Sequence, residues 1–377
     1  MKVAILTIHK IINYGSALQT YALQKYLENI NISCDIINYK FPNNYHRRKR
    51  NQKLSLYRIV KNKIHRIIEY LITKKRRNSF QRFWKDNYHL TMFYPTQESI
   101  KTQPPIGYDM YILGSDQVWN TNTLCGDDIF MFSFLDSNAY FFSYASSFGV
   151  TNIDNTPYCD TFKKYLSRFK GIGVREKTAV NILDKLSVPN AQIVCDPTFL
   201  LKKEDYAKLA GKSILSINED YILVYMLNYS FNPHPAIRKV VEYINNMYNC
   251  KIVFIGRSFN IPNGDYAIYN NIGPYDFLYL FQNAKFVVTS SFHGTAFSII
   301  NRKPFVSIAP LRGDNRIQDL LEITGLKKNL IYNTQEIIKV DMNQQYDEII
   351  EGKINTFIMQ SKNYIINHIQ QYKNDEY

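Results

Sequence analysis

The side chain best placed for chemistry is a histidine at the end of an apolar run. Residues 286–294 have the sequence FVVTSSFHG, in which a buried-type strand ends at polar residues and His293 precedes Gly294. The residues that follow are typical of a helix and a second buried strand. Ligands of open α/β sheets bind beyond the carboxyl ends of the strands, where the first N–H groups of a helix can hold an anion. The sequence therefore predicts that His293 faces a ligand cleft.

Polar residues also follow other predicted strands. The loop after the first strand contains Asn13, Tyr14 and Gly15, and the loop after the strand at 108–113 contains Asp116 and Gln117. Such groups hydrogen-bond sugar hydroxyls, and Asp116 could take a proton from one. The alternative interpretation is that the first loop is only a turn and that Asp116 caps a helix. Asp196 and Pro197 are interpreted as a structural junction between a strand and a helix.

The order of apolar strands and amphipathic helices predicts two Rossmann-like α/β domains facing a cleft. Its 377 residues suit two domains of ordinary size. We expect an N-terminal domain at 1–205, interrupted by a basic helical insertion at about 42–105, and a C-terminal domain at 218–345. A looser stretch at 202–218 should link them. A terminal helix at 346–377, interrupted near Gly352, should cross back and brace the first domain.

The positive charge is confined to one segment. The net charge is +14, and residues 47–85 contain 15 Lys and Arg against the single acid Glu69, which leaves the rest neutral. The amphipathic pattern there suits either a solvated helix or an interfacial helix on an anionic membrane. Nucleic-acid binding is not expected, because the excess is local and no known reading module is present.

The start of the sequence, the length of its apolar runs and the spacing of its cysteines predict its compartment and its lack of a metal site. The chain begins MKVAILTIHK and enters a strand directly, and it holds no apolar run of about 18 residues. We therefore expect a cytoplasmic protein, with a peripheral position on the inner face of the plasma membrane if the basic helix binds lipid. The five cysteines are scattered without metal-binding spacing, and no metal site is predicted.

Seven segments, in this order and spacing, resemble the polysaccharide pyruvyl transferase family. They are NYGSALQTYALQKYL, YILGSDQVWN, SYASSFG, GVREKTAVNIL, CDPTFLL, VTSSFHGTAFSIINRKPF and GDNRIQDLLEITGL. The resemblance implies a fold similar to the two-domain glycosyltransferase B architecture. It also implies transfer of a pyruvyl group from phosphoenolpyruvate to sugar hydroxyls of a surface-polysaccharide precursor, without a cofactor.

The resemblance also implies roles for individual residues. Arg175 matches the family's donor-binding arginine, and His293 matches its histidine, which protonates the donor or stabilises the departing phosphate. The expected donor site comprises Arg175, Ser290, Ser291, His293, Gly294, Thr295 and Arg316. The expected acceptor site comprises Asn13, Tyr14, Gly15, Asp116 and Gln117. The acceptor is a saccharide, with a lipid-linked oligosaccharide as one form.

One position departs from the family pattern. Many relatives have an arginine two residues before the histidine, where this chain has Ser291, and Arg312 or Arg316 could replace the lost charge. Two other interpretations therefore stay open. One is a nucleotide-sugar-dependent glycosyltransferase of the same architecture, and the other is a non-catalytic, membrane-associated scaffold.

Overall fold

Two parallel β-sheets covered by helices form the frame of the protein. The computed structural model describes residues 1–41, 73–154, 156–227, 231–262, 264–311, 313, 315–339 and 346–375. The strands of the first sheet are β1 (Lys2–Leu6), β2 (Ser33–Tyr39), β3 (Leu90–Tyr94), β4 (Met110–Leu113), β5 (Phe141–Ser146), β6 (Ile172–Val174) and β7 (Ala191–Ile193). Those of the second are β8 (Tyr221–Tyr225), β9 (Lys251–Ile255), β10 (Tyr266–Tyr269), β11 (Phe286–Thr289), β12 (Phe305–Ile308) and β13 (Leu330–Ile331).

Helices alternate with these strands along the chain. They are α1 (Tyr14–Asn29), α2 (73–87), α3 (Gln97–Thr102), α4 (Cys159–Leu166), α5 (Lys177–Lys185), α6 (Lys203–Ala210), α7 (Ala236–Tyr248), α8 (Pro274–Asn283), α9 (Phe292–Ile300), α10 (Arg316–Ile323) and α11 (Glu348–Asp375). Short 3₁₀ helices include Asp128–Met131 and Pro197–Leu200. The strands β1, β4, β8 and β11 are almost continuously apolar and buried, as expected for a parallel sheet with helices on both faces.

The strand order creates a crevice in each sheet. The orders are β3-β2-β1-β4-β5-β6-β7 and β10-β9-β8-β11-β12-β13, with parallel pairing throughout. The chain leaves β1 and β4 in opposite directions across the first sheet, and it does the same at β8 and β11 in the second. Loops that follow such a pair of strands part at their carboxyl ends, where ligands bind. Two parallel sheets with interleaved helices confirm the predicted α/β class.

The long C-terminal helix braces the first sheet, as predicted. In α11 the Ser361 hydroxyl accepts a hydrogen bond from the Cys195 N–H at 2.8 Å, and Tyr364 donates to the Ser143 carbonyl at 3.1 Å. The predicted interruption near Gly352 is wrong, because α11 runs unbroken from Glu348 to Asp375. One glycine costs a helix only about 1 kcal/mol relative to alanine. Burial of side chains such as Phe357 offsets that cost.

Other differences from the sequence prediction are local. Within the stretch predicted as a helical insertion, residues 90–94 form the edge strand β3, so the helical prediction is wrong there. The predicted link at 202–218 contains α6, and the short strands β10 and β13 were not predicted. Residues 42–72, which hold most of the predicted basic helix, lie outside the described residues, as does Arg312.

Ring stacking and hydrogen bonds join the two domains beside the crevice. Tyr14, at the start of α1, stacks on Phe277 of α8 with ring centroids 4.6 Å apart. Asp319 of α10 accepts the backbone N–H of Lys177 at 2.8 Å, and the Lys177 ammonium bonds Glu322 at 3.1 Å. These contacts fix how the carboxyl ends of the two sheets face each other.

Candidate active site

A cavity between the two domains collects side chains from the carboxyl ends of both sheets. We call it the cleft. Its N-terminal wall consists of Asn13, Asp116 and Gln117. Its C-terminal wall consists of Leu227, Phe231, Ser290, Ser291, Phe292, His293, Pro310, Arg316 and Ile317. Seven of the residues predicted from the sequence therefore line one cavity, including His293.

His293 lies in the first turn of α9. Ser291 is the N-cap of this helix, and its hydroxyl accepts the Gly294 N–H at 3.3 Å, while Thr289 accepts the Ser291 N–H at 3.1 Å. Gly294 permits this close turn, since a Cβ there would overlap the Thr289 side chain. The first N–H groups of a helix have no acceptor within it, so this end of α9 suits an anion.

The imidazole of His293 crosses to the other domain and lies on Gly15. A Cβ at residue 15 would overlap the ring at Nδ1. Gly15 belongs to the first turn of α1, whose N-cap Asn13 accepts the Ser16 N–H at 3.2 Å. The ring is thus held between the N-terminal ends of α1 and α9, with its side chain only 12% exposed.

A buried carboxylate faces the other ring nitrogen. Asp196 Oδ2 lies 3.5 Å from His293 Nε2, and the Asp196 side chain has no exposed surface. The same oxygen accepts a hydrogen bond from Arg175 Nη1 at 3.0 Å and another from the Ser115 hydroxyl at 3.0 Å. Burial alone would raise the pKa of Asp196, but His293 and then Arg175 outweigh it and hold that pKa well below its usual range. Asp196 is therefore a carboxylate at neutral pH.

Arg175 lies behind the cleft rather than in its wall. Its side chain is 1% exposed, and the guanidinium carbon lies 4.5 Å from the centre of the Phe292 ring, which lines the cleft. Its Nη2 is 4.0 Å from Asp116 Oδ1. The structure thus brings Arg175 and His293 to one carboxylate oxygen. Direct contact of Arg175 with the donor stays a prediction.

A family model described as polysaccharide pyruvyl transferase matches residues 13–311. The chain belongs to the polysaccharide pyruvyl transferase family. No curated protein sequence matches it. The family match covers the loops that carry Asn13, Asp116, Arg175 and His293.

Solved structures with little sequence identity share the fold of this pyruvyl transferase family member. The UDP-GlcNAc 2-epimerase from Neisseria meningitidis bound to UDP-GlcNAc has a TM-score of 0.55 at 12% identity, covering 98% of this chain and 100% of that one. The UDP-GlcNAc 2-epimerase from Methanocaldococcus jannaschii has a TM-score of 0.53 at 15% identity, covering 92% of this chain and 94% of that one. The UDP-N-acetylglucosamine 2-epimerase from Rickettsia bellii has a TM-score of 0.53 at 12% identity, covering 99% of this chain and 96% of that one. These likenesses confirm the predicted glycosyltransferase B-like architecture.

Asp116 stands in the N-terminal wall with a constrained backbone. Its φ is 81°, a left-handed conformation that non-glycine residues rarely adopt and that often occurs at functional sites. Its carboxylate accepts the Ser16 hydroxyl and the Gln117 N–H, the latter at 2.9 Å. The side chain is 15% exposed, so it keeps access to the cleft. This position suits a group that accepts a proton from a bound hydroxyl.

Arg316 supplies a guanidinium that does line the cleft. In the orientation that satisfies both groups, the Gln117 amide oxygen accepts hydrogen bonds from Arg316 Nη1 and Nη2, each at 2.9 Å. Gly149 allows this, because a Cβ there would overlap the Gln117 amide. Arg316 was one of the two candidates, with Arg312, to replace the arginine missing at Ser291, and the fold places Arg316 and Ser291 in the same wall.

Three predicted site residues have other contacts. Tyr14 is buried, and its hydroxyl donates to the Ile272 carbonyl at 3.2 Å. The Thr295 hydroxyl bonds Ser307 at 2.7 Å beneath α9, and the Ser290 hydroxyl donates to the Leu227 carbonyl at 2.8 Å. Tyr14 and Thr295 do not line the cleft, so they position their helices rather than touch a ligand in this arrangement.

Sequence reasoning did not place Asp196 beside His293. Asp196 follows β7. The rule that ligands bind beyond the carboxyl ends of the strands, which we call the strand-end rule and which selected Asp116, therefore applied to Asp196 equally. The following proline favoured a structural interpretation, which is confirmed: Oδ1 accepts the Thr198 N–H at 3.0 Å and caps Pro197–Leu200. Oδ2 is the oxygen directed at His293.

Within the described ranges, none of the helices combines the length and apolar character needed to cross a bilayer. In the same part of the chain, no three His, Cys, Asp or Glu side chains are grouped to hold a metal ion.

Proposed function

We propose that the protein transfers the pyruvyl group of phosphoenolpyruvate to two hydroxyls of a saccharide and forms a pyruvate ketal. The observation that carries this proposal is the placement of His293 and Arg316 in one wall of the cleft, opposite Asp116. Phosphoenolpyruvate carries two anionic groups, and a guanidinium with helix N–H donors suits them. A saccharide acceptor is consistent with the polysaccharide pyruvyl transferase family.

The reaction needs a proton at the enol carbon before any hydroxyl can attack. We propose that His293 gives this proton to the methylene carbon, which leaves a cationic centre at the neighbouring carbon. The first sugar hydroxyl bonds there, and Asp116 accepts its proton. The bond to phosphate then breaks, and the second hydroxyl closes the ketal. The second hydroxyl gives its proton to His293, and Asp116 passes the first hydroxyl's proton to the departing phosphate, so both side chains return to their starting states and protons balance.

Arg316 is the proposed anchor for the donor's anionic groups. Among the described residues that line the cleft it is the one arginine, and its Nη1 and Nη2 both donate to the Gln117 amide oxygen, a pair of donors that also suits a carboxylate or phosphate. Helix N–H groups of α9 would complete the anion site. Arg175, behind Phe292, contributes its charge through Asp196 instead.

Release of inorganic phosphate tests the proposed reaction. Phosphate should appear when phosphoenolpyruvate and a saccharide acceptor are both present, and not with either alone. A panel of short oligosaccharides, free and lipid-linked, would identify the acceptor class. The fold is that of enzymes whose structures hold UDP-GlcNAc. If a nucleotide-sugar is consumed and phosphoenolpyruvate is not, the protein is a glycosyltransferase. If neither donor reacts with any acceptor of the panel, the result favours the non-catalytic scaffold.

Arg316→Gln should raise KM for phosphoenolpyruvate about 10- to 100-fold, the equivalent of one or two charge-assisted hydrogen bonds. The effect on kcat should be smaller, because the anchor binds both the ground and transition states. Steady-state kinetics with varied donor measures this. Arg238→Gln, which removes an exposed arginine paired with Glu242 on α7, is the control. An unchanged KM in Arg316→Gln would remove Arg316 from the donor site.

We also propose that the basic region binds an anionic membrane and brings the enzyme to lipid-linked acceptors. In the described part, Lys74, Lys75 and Arg82 line a shallow groove on α2 with Asn78 and Ser79. Phe80 and Phe83, on the other side of the helix, are buried against the protein. The basic face is thus turned outward, where each Lys or Arg can contribute about 1 kcal/mol to binding of anionic lipid.

Sedimentation with vesicles tests the membrane contact. The protein should bind vesicles that contain phosphatidylserine and not pure phosphatidylcholine, and added salt should weaken binding. Lys74→Glu combined with Lys75→Glu should reduce binding about tenfold or more. The matched pair Lys163→Glu with Lys164→Glu, exposed on α4, should change it little. Equal loss in both pairs would indicate a non-specific charge effect.

A further inference from the structure

We propose that Asp196 is a positioning residue that holds the His293 ring in one orientation, with Arg175 holding Asp196 in turn. This inference deepens the proposed function and rests on His293 acting as the proton donor. It assigns no substrate contact to Asp196 or Arg175. It explains why the two residues that sequence reasoning placed at the donor meet at one carboxylate oxygen.

The two oxygens of Asp196 have separate partners. Oδ1 accepts the Thr198 N–H at 3.0 Å and its hydroxyl at 2.8 Å, which fixes the carboxylate to the turn after β7. Oδ2 accepts Arg175 Nη1 and the Ser115 hydroxyl, both at 3.0 Å. Four hydrogen bonds thus fix the carboxylate, so its direction towards His293 is set by the N-terminal domain.

His293 Nε2 has Asp196 as its polar neighbour. The distance of 3.5 Å is long for a hydrogen bond, and Nε2 is buried without a closer partner among the described residues. A buried N–H without an acceptor is costly, and closure of the domains by a few tenths of an ångström would complete this bond. His293 and Asp196 belong to different domains, so the bond would form as the cleft closes.

Because Asp196 is buried, its carboxylate depends on the charge of Arg175. A carboxylate with no exposed surface needs a compensating charge, and Arg175 supplies it from a side chain that is 1% exposed. Glu176 Oε2 and Asp116 Oδ1 lie 4.0 Å from Arg175 nitrogens, longer than the 3.0 Å contact with Asp196. The guanidinium therefore pairs first with Asp196.

The orientation assigns different tasks to the two ring nitrogens. Nε2 directs its N–H to Asp196, so Nδ1, which lies beside Gly15, is the nitrogen that exchanges protons with substrate. This is the general arrangement in which a carboxylate fixes the tautomer and orientation of a catalytic imidazole. The charged groups around the ring are Asp196, Arg175 behind it, and Asp116 and Arg316 in the cleft wall.

Nitrogen-resolved NMR of the unmodified protein tests the orientation without any assay of activity. The His293 resonances are assigned as those absent from the His293→Ala spectrum. We expect an imidazole proton on Nε2 that exchanges slowly with water, because it is buried against a carboxylate. A proton on Nδ1 in the neutral ring, or an Nε2 proton that exchanges as fast as in free histidine, overturns the proposal. This result does not depend on which donor the enzyme uses.

Asp196→Asn tests the consequence for turnover. We expect kcat to fall by about 10²-fold or more, with KM for phosphoenolpyruvate changed less than threefold, on the order seen when an orienting carboxylate is removed. Asp196→Glu should recover part of kcat. An unchanged kcat in a folded Asp196→Asn overturns the proposal.

Asp127→Asn is the matched control. Asp127 is also buried, and it also caps a 3₁₀ helix through Oδ1, with Tyr39 bonded to Oδ2 at 2.8 Å. Its loss should leave kcat and the Nε2 proton unchanged. If Asp196→Asn does not fold, Arg175→Gln with Asp196→Asn removes both buried charges together, and the slow Nε2 proton should be lost in that variant. If phosphoenolpyruvate fails as donor but the slow proton is present, the positioning role stands and the proposed reaction does not.

Discussion

His293→Ala is expected to lower kcat for phosphate release by about 10²- to 10⁴-fold, the usual contribution of a positioned acid or base. The imidazole is the cleft side chain best able to exchange a proton near neutral pH, and it lies between two helix N-termini where the donor's anions would bind. Donor binding should persist, because Arg316 and the N–H groups of α9 remain. Single-turnover kinetics with saturating phosphoenolpyruvate would measure the chemical step directly.

The control for this variant is His89→Ala. His89 is 64% exposed and pairs with Glu28 on the N-terminal domain, so its removal should leave kcat unchanged. Donor affinity, measured by calorimetry, distinguishes the two proposed tasks of His293. A large loss of affinity with little change in single-turnover rate would make the ring an anion-binding group and would leave the proton donor unidentified.

The strand-end rule found most of the site from the sequence because parallel sheets have a simple geometry. Apolar runs marked where β1, β4 and β11 end, and polar residues just beyond them, including Asn13, Asp116 and His293, do line one cleft. The rule states only which edge a residue occupies. It does not state whether its side chain turns into the cleft or back into the protein.

Arg175 and Asp196 illustrate what the rule leaves out. Both follow strands of the first sheet, yet Arg175 was assigned to the donor and Asp196 to structure. Their positions depend on each other, since a buried guanidinium and a buried carboxylate are stable only as a pair. The sequence does not contain this pairing in any local pattern, because 21 positions separate the partners.

The errors in the fold prediction also come from contacts between residues that are distant in the sequence. The edge strands β3 and β10 are short and partly exposed, with Phe93 and Ile268 among the exposed residues, so they lack the continuous apolar run of the central strands. Neighbouring strands, rather than local sequence, hold them in place. The glycine in α11 predicted an interruption, but the helix continues through it, and the neighbouring Glu351 pairs with Arg302 of the second domain.

The site depends on contact between domains as much as on either domain. The histidine is carried by α9 of the second, while Gly15 and Asp196, which lie against its two nitrogens, belong to the first. Contacts such as Lys177 with Asp319 hold the domains in this arrangement. A substrate that draws them together would therefore also complete the proton donor, which couples binding to chemistry.

Gly15→Ala should reduce kcat about as much as removing the imidazole itself, by about 10²-fold or more. The added Cβ would overlap His293 Nδ1 and the adjacent ring atoms, so the ring must leave its place on α1 and with it the direction towards Asp196. The substitution should not lower the stability of α1, because alanine stabilises a helix by about 1 kcal/mol relative to glycine. Loss of activity without loss of thermal stability is the expected result.

Two comparisons isolate the cause of that loss. Gly352→Ala places the same methyl group in α11, where a Cβ meets nothing within 4 Å, and it should leave kcat unchanged. In a double-mutant cycle, Gly15→Ala added to His293→Ala should have little further effect, because the ring it displaces is already gone. If the two losses instead multiply, residue 15 acts on the substrate or on α1 rather than through His293. The cycle therefore decides whether the close approach of Gly15 serves to seat the imidazole.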